Sequence, residues 1–204
     1  MNHLGRKPEI IDLTGDVDGD DWNIVESQKC KKKIRPTTPP YSSLDQPCMI
    51  VLCGIPGSGK SHLASALTSV NPDKYVRICQ DVLGTRPKCE KATREALSQG
   101  KVPVIDRCNF SPLQRESFLL IATECDVPVD CIIFQYSQQE CLRRCEERSS
   151  HEILNRSNAR GVVSRLARQF DPPSQASDAK SFRSIKRVSS FHESNVITSE
   201  YLLL

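Results

Sequence analysis

Short, largely apolar runs recur along the middle of this chain, separated by stretches with helical signals. Met49–Cys53, Tyr75–Cys79, Val102–Ile105 and Val129–Phe134 read as strands, and Ser184–Val188 as a last one. Several lack the polar alternation of a half-exposed strand, which is the pattern of a sheet buried on both faces. Helices are predicted between them. One covers Ser61–Val70, and one covers Lys88–Gln99, stopped by Gly100 at its C-terminus. Ser111 and Gln114 form a capping-box pattern around Pro112 and open a helix to about Cys125. Ser137 and Glu140 repeat that pattern and open a helix through about Arg148; a further helix spans Val162–Phe170 after the polar stretch 149–158. Strands alternating with helices predict an α/β fold, a parallel sheet with helices on both faces.

The pattern is absent before residue 46. Residues 1–45 have few large apolar side chains, an acidic run at Asp16, Asp18, Asp20 and Asp21, a basic run from Lys29 to Arg35, and a Pro/Thr/Ser stretch at 36–43. This composition predicts a disordered tail. The expected organisation is therefore tail 1–45, domain 46–192 and a C-terminal tail 193–204. No apolar run approaches the ~20 residues of a membrane-spanning helix, so no membrane partner is expected. The polar N-terminus lacks the apolar core of a signal peptide. The chain's 10 cysteines include no C-x-x-C pair and read as small core residues, with Cys141 and Cys145 one helical turn apart. Charge is uneven: 7 basic against 8 acidic residues in 1–45, but 21 against 15 in 46–192. That surplus favours an anionic substrate.

The most specific local signal is Gly54-Ile55-Pro56-Gly57-Ser58-Gly59-Lys60-Ser61, which follows an apolar strand and opens a helix. Glycines let the backbone curl so that successive amides point at a bound anion, at the positive end of a helix. Lys60 reaches the β- and γ-phosphates of ATP, the Ser61 hydroxyl is a ligand for Mg²⁺, and His62 borders the nucleotide. Two carboxylates follow strand ends. Asp81 comes just after the second strand, where it can accept a proton from an attacking hydroxyl or cap a turn. Asp106 ends the third, where it can hold Mg²⁺ as a Walker B residue does or cap a loop. An arginine-rich stretch (Arg143, Arg144, Arg148, Arg156, Arg160, Arg165 and Arg168) reads as a closing lid, with Glu140 able to pair with Arg144.

With these motifs, the stretch from Met49 to about Pro173 resembles the 5′-polynucleotide kinase module of nucleic-acid end-repair enzymes. The resemblance rests on the loop at 54–61, Asp81-x-Leu83-Gly84, Asp106-x-x-Asn109, Arg115, and Gln169-Phe170-Asp171-Pro172. It implies an ATP- and Mg²⁺-dependent kinase, with Asp81 as general base for a 5′-hydroxyl of DNA or RNA. Asp106, Arg107 and Asn109 would stand beside the acceptor, and Arg144 and Arg148 on the ATP phosphates. Two departures concern the acceptor side: Gln80 stands where the family often has Arg, and Arg107 and Cys108 where it has small polar residues. No D-x-D-x-T string is present, so a phosphatase activity is not expected. The Asp106–Asn109 variant also resembles kinase-like modules fused to aprataxin-type repair domains. A small-molecule P-loop kinase and an ATP-binding adaptor are the competing readings.

In the tail, Ile10-Ile11-Asp12-Leu13-Thr14 followed by acids resembles a SUMO-interacting motif, an extended strand that adds to a sheet edge. Lys29–Arg35 reads as a nuclear localisation signal, a non-specific nucleic-acid contact or a charged linker, and the expected location is the nucleus, with the cytoplasm as the second option.

Overall fold

The structure is a computed structural model and describes residues 48–147 and 158–203. Strands β1 (Met49–Cys53), β2 (Tyr75–Cys79), β3 (Val102–Asp106), β4 (Val129–Phe134) and β5 (Ser184–Val188) form one sheet in the order β2-β3-β1-β4-β5. Every pairing is parallel. The helices among the described residues are α1 (Lys60–Val70), α2 (Gln80–Leu83), α3 (Arg86–Ser98), α4 (Pro112–Glu124), α5 (Gln138–Glu147), α6 (Ala159–Arg168) and α7 (Phe191–Leu203).

β1 is wholly buried, and its alternate residues serve opposite faces. Ile50 and Leu52 pack with Leu63 and Leu67 of α1 and Ile197 and Tyr201 of α7. Met49, Val51 and Cys53 pack with Phe118 and Ile121 of α4 and Cys89 of α3. The unbroken apolarity of the strand thus reflects cover on both sides. A third cluster joins Ile55 of the loop to Cys141 and Cys145 of α5 and Val163 of α6, so the two cysteines face the phosphate loop from below. Among the described residues no group of three or more His, Cys, Asp or Glu side chains is placed to hold a metal ion, and no helix is long and apolar enough to cross a membrane.

The predicted strands agree with the structure to within a residue. The helices differ at their ends and in one important place. Residues 193–204, expected to be a tail, belong almost entirely to α7, which packs on α1 through buried Ser194, Ile197 and Tyr201. Their spacing of three and four residues is that of one helix face. The start signal is present too: Ser190 Oγ accepts the Glu193 amide at 3.2 Å, and the Glu193 carboxylate accepts the Ser189 amide at 2.7 Å. That is a variant of the capping box. At the other predicted boxes the outcome is mixed. Ser137 Oγ accepts the Glu140 amide at 3.2 Å, whereas Ser111 makes no side-chain cap and Pro112 sets the helix start instead.

Candidate active site

The carboxyl ends of β2, β3 and β1 lie side by side, which is where an open parallel sheet binds its ligands. From β1 the chain enters the loop and then α1. Gly57 and Gly59 have φ of 82° and 101°, values that L side chains avoid. Gly57 is also a point of contact: a Cβ there would stand 2.2 Å from the Cys141 carbonyl oxygen and 2.8 Å from Cys145 Sγ. The loop therefore rests its backbone on α5. Gly54 donates to the Cys108 carbonyl at 3.0 Å, joining the loop to the segment after β3. Lys60, at the first turn of α1, is buried, and its Nζ donates to the Ile55 carbonyl at 2.9 Å. It is thus held across the loop whose amides would meet a phosphate.

Ser61 and Asp106 come together as expected. Ser61 Oγ donates to Asp106 Oδ1 at 3.2 Å. The other carboxylate oxygen accepts Arg77 Nε at 2.7 Å and lies 2.6 Å from Arg77 Nη2. Arg77 is a residue the sequence reading missed. Burial works against its charge, but Asp106, with smaller contributions from Cys79 and Asp81, outweighs it and raises its pKa. A charged residue inside a strand that is otherwise apolar was the available signal. A hydroxyl and a carboxylate side by side are hard oxygen donors, the set that suits Mg²⁺ with few protein ligands.

β2 is registered so that Cys79 pairs with Asp106. Asp81, two residues further on, stands exposed on α2 at the edge of the same crevice. Val82 beside it is 77% exposed. Arg107 leaves β3 directly after Asp106, and its guanidinium carbon lies 5.5 Å from the Phe118 ring centroid.

Asn109 is placed differently from the expectation. It is fully buried, has φ 45°, and its Nδ2 donates to the Leu52 carbonyl at 2.8 Å. Its amide nitrogen is committed to tying the β3–α4 loop to β1, so Asn109 supports that loop from within and does not face the crevice. Arg115 performs a related task. It is wholly buried, pairs with Asp178 through two bonds of 2.6 and 2.9 Å, and donates to the carbonyls of Asn109 and Asp171 at 2.9 Å. One arginine thus fastens the return from α6 to the loop after β3.

On the other side of the phosphate loop lies a cavity of about 160 Å³ lined by Gly57, Gly59, His62, Tyr136, Arg144 and Phe191, among others. Arg144 stacks over Tyr136 at 4.2 Å and donates to Glu140 at 2.7 Å. His62 and Phe191 hold their rings 5.5 Å apart. Glu140 is held down to about 2, first by Arg143 and then by Arg144. Phe134, Tyr136 and Phe191 give the cavity aromatic walls, and Arg144 adds a cation to its lining. Tyr136 and Phe191 were not foreseen, because Tyr136 falls in a connecting loop and Phe191 at the end of the expected domain, where no helix was read. Arg148 and the tail motifs at 10–14 and 29–35 lie outside the described residues. A larger cavity of about 340 Å³, beside Val129 and Phe182, opens at the start of β4, away from this chemistry.

With the geometry in place, comparison with known proteins decides the fold. A solved fungal RNA kinase has a TM-score of 0.62 at 17% identity, covering 78% of this chain and 44% of that one. The APS kinase of Mycobacterium tuberculosis, solved with AMPPNP and APS, has a TM-score of 0.54 at 13% identity, covering 77% and 96%. The fold is that of the P-loop kinases. A family model described as AAA domain matches residues 85–173, from the residue before α3 to just past α6. Among curated relatives, the bifunctional polynucleotide phosphatase/kinase of Schizosaccharomyces pombe is 41% identical over 91 residues, 45% of this chain and 22% of that protein. The transcription factor bHLH140 of Arabidopsis thaliana is 31% identical over 131 residues, 61% of this chain and 14% of its own length. The chain therefore spans less than a quarter of these relatives, and it carries a kinase-type P-loop module similar to that of the polynucleotide kinases.

Proposed function

We propose that the protein transfers the γ-phosphate of ATP to the 5′-hydroxyl of a DNA or RNA end. The observation that carries this reading is the row formed at one sheet edge: Lys60 and Ser61 after β1, Asp106 at the end of β3, and Asp81 just past β2. Donor phosphates meet the loop amides and Lys60. The adenine base fits the cavity between Phe191 and Arg144. Ser61 and Asp106 would hold Mg²⁺, which neutralises phosphate charge when bound. Arg77 fixes the Asp106 carboxylate in one orientation. Asp81, exposed just past the end of β2, takes the proton of the attacking hydroxyl. Relatives with polynucleotide kinase names support the acceptor class. Arg148, in the lid stretch, adds a cation to the transferring phosphoryl group.

The fold shared with a small-molecule kinase favours one alternative, a metabolite or nucleoside acceptor. Asp81→Asn separates enzyme from adaptor. It keeps size and removes the proton acceptor, so ATP affinity should hold while single-turnover transfer falls by roughly 10²–10⁴-fold. An unchanged rate would reduce Asp81 to a turn residue. The proposed nuclear location and SUMO contact rest on the tail motifs alone. Deleting residues 1–45 should leave catalysis intact and abolish SUMO binding, and an isolated tail that shows no chemical-shift change on titration with SUMO would refute the contact.

A further inference from the structure

The two oxygens of the Asp106 carboxylate are used unequally. Oδ1 accepts the Ser61 hydroxyl at 3.2 Å. Oδ2 accepts Arg77 Nε at 2.7 Å and lies 2.6 Å from Nη2 of the same guanidinium. Both contacts of the arginine thus fall on one oxygen, unlike the fork-on-fork pairing in which each nitrogen takes its own. The register explains the aim. Arg77 lies on the same face of β2 as Cys79, which pairs with Asp106, and its Nη2 stands 3.6 Å from Cys79 Sγ. The carboxylate is buried and the arginine partly exposed. A buried carboxylate needs a partner. Here the charge is met at Oδ2 alone, and among the described residues Oδ1 keeps only a neutral hydroxyl.

That division bears on the cation the pair would hold. Ca²⁺ gathers more oxygens than Mg²⁺ and often takes both oxygens of a carboxylate, whereas Mg²⁺ keeps several waters and needs few carboxylates beside substrate phosphates. With Oδ2 committed to Arg77, Asp106 has a single oxygen left for a metal, next to the Ser61 hydroxyl, and its charge is already balanced. Those two oxygens are too few to draw a divalent cation out of water by themselves. The phosphates of a nucleotide on the adjoining loop would supply the rest. The guanidinium charge also reaches Asp81. One arginine thus serves two carboxylates that would otherwise attract a divalent ion on their own.

We propose that Arg77 is a metal-specificity residue: by holding Asp106 Oδ2 it leaves one carboxylate oxygen to the cation, so the site takes Mg²⁺ only together with the phosphates of the nucleotide and discriminates against Ca²⁺. This rests on the reading of Ser61 and Asp106 as the metal-holding pair given above.

The test uses the full chain as wild type, Arg77→Met, Arg77→Gln, Asp106→Asn and the double variant Arg77→Met/Asp106→Asn. Mn²⁺, standing in for Mg²⁺, is followed by the electron paramagnetic resonance of the free ion, and Ca²⁺ by calorimetry. Each is titrated without nucleotide and with a non-hydrolysable ATP analogue, against the analogue alone. Wild type should hold Mn²⁺ only with the analogue. In Arg77→Met the nucleotide-free affinity for both ions should rise roughly 10–100-fold, the scale of freeing a carboxylate from charged hydrogen bonds. Inhibition of the Mg²⁺-supported reaction by Ca²⁺ should set in at a correspondingly lower Ca²⁺ concentration. The double variant should lose the gain, which places it at Asp106. Arg77→Gln keeps one donor for the buried carboxylate, should shift in the same direction, and serves if the Met variant unfolds. An unchanged or weaker nucleotide-free affinity in a folded variant would overturn the proposal, leaving Arg77 as a neutraliser of Asp106. Wild-type Mn²⁺ binding with the analogue that Asp106→Asn leaves unaltered would instead overturn the reading of the metal-holding pair, and this proposal with it.

Discussion

Gly57 and Gly84 make a controlled pair. Both have positive φ, 82° and 85°, but a Cβ at Gly57 meets α5 backbone at 2.2 Å, while a Cβ at Gly84 meets nothing within 4 Å. Gly84→Ala should therefore cost about 1 kcal/mol, the strain of a left-handed non-glycine residue. Gly57→Ala must also push the loop off Cys141, so it should lower the melting temperature further and abolish ATP binding. Calorimetric titration and thermal melts on the two variants check this, and equal effects would contradict the packing described. At this scale the sequence was readable where a residue type is demanded by local geometry, as in the glycines, Lys60 and Ser61. It was not readable where the role depends on a distant partner. Nothing near Arg77 announces Asp106, 29 positions away. Asn109 matched a motif, yet its amide turns inward to Leu52.

Among the elements, α7 shows most clearly how a packed helix can hide in a sequence. Its buried face carries Ser194 beside Ile197 and Tyr201, so the apolar stripe is thin, and β-branched residues dilute the helical signal. The packing reveals what the pattern concealed. Tyr201 Oη donates to Asp130 Oδ2 at 2.9 Å, and Arg183 clamps the same carboxylate at 2.6 and 2.9 Å. Burial pushes the Asp130 pKa up, but Arg183, Ser184 and Tyr201 outweigh it and hold it below the ordinary carboxylate value. The folded state thus binds fewer protons than the unfolded chain, whose aspartate titrates near 3.9. The stabilisation should be complete above about pH 4 and disappear as pH falls through the lowered folded value. Tyr201→Phe should cost about 1–3 kcal/mol at pH 7, since it leaves a buried carboxylate one donor short. Its deficit should narrow in acid. Denaturant melts of both proteins at pH 7 and pH 3 measure this, and a deficit that grows in acid would contradict the assigned sign. The strands, by contrast, were legible nearly to the residue, because two-sided burial leaves a run of apolar side chains that few other environments produce.

For the whole molecule, the strand order β2-β3-β1-β4-β5 turns separate sequence motifs into a site. Sequence alone supplied the strands and the parallel class, but not which strand neighbours which, since that depends on crossover packing. The order sets Asp106 beside the phosphate loop and Asp81 one strand further out, so in the proposed reaction donor and acceptor would approach the crevice from different sides. The most direct measurement is transfer of labelled γ-phosphate from ATP to a 5′-hydroxyl oligonucleotide, with a nucleoside, a 5′-phosphorylated oligonucleotide and the Lys60→Ala variant as controls. The account predicts label on the 5′-hydroxyl oligonucleotide alone, lost in Lys60→Ala because a cation beside the β- and γ-phosphates is gone. Label on the nucleoside but not on the oligonucleotide, or undiminished transfer by Lys60→Ala, would contradict it.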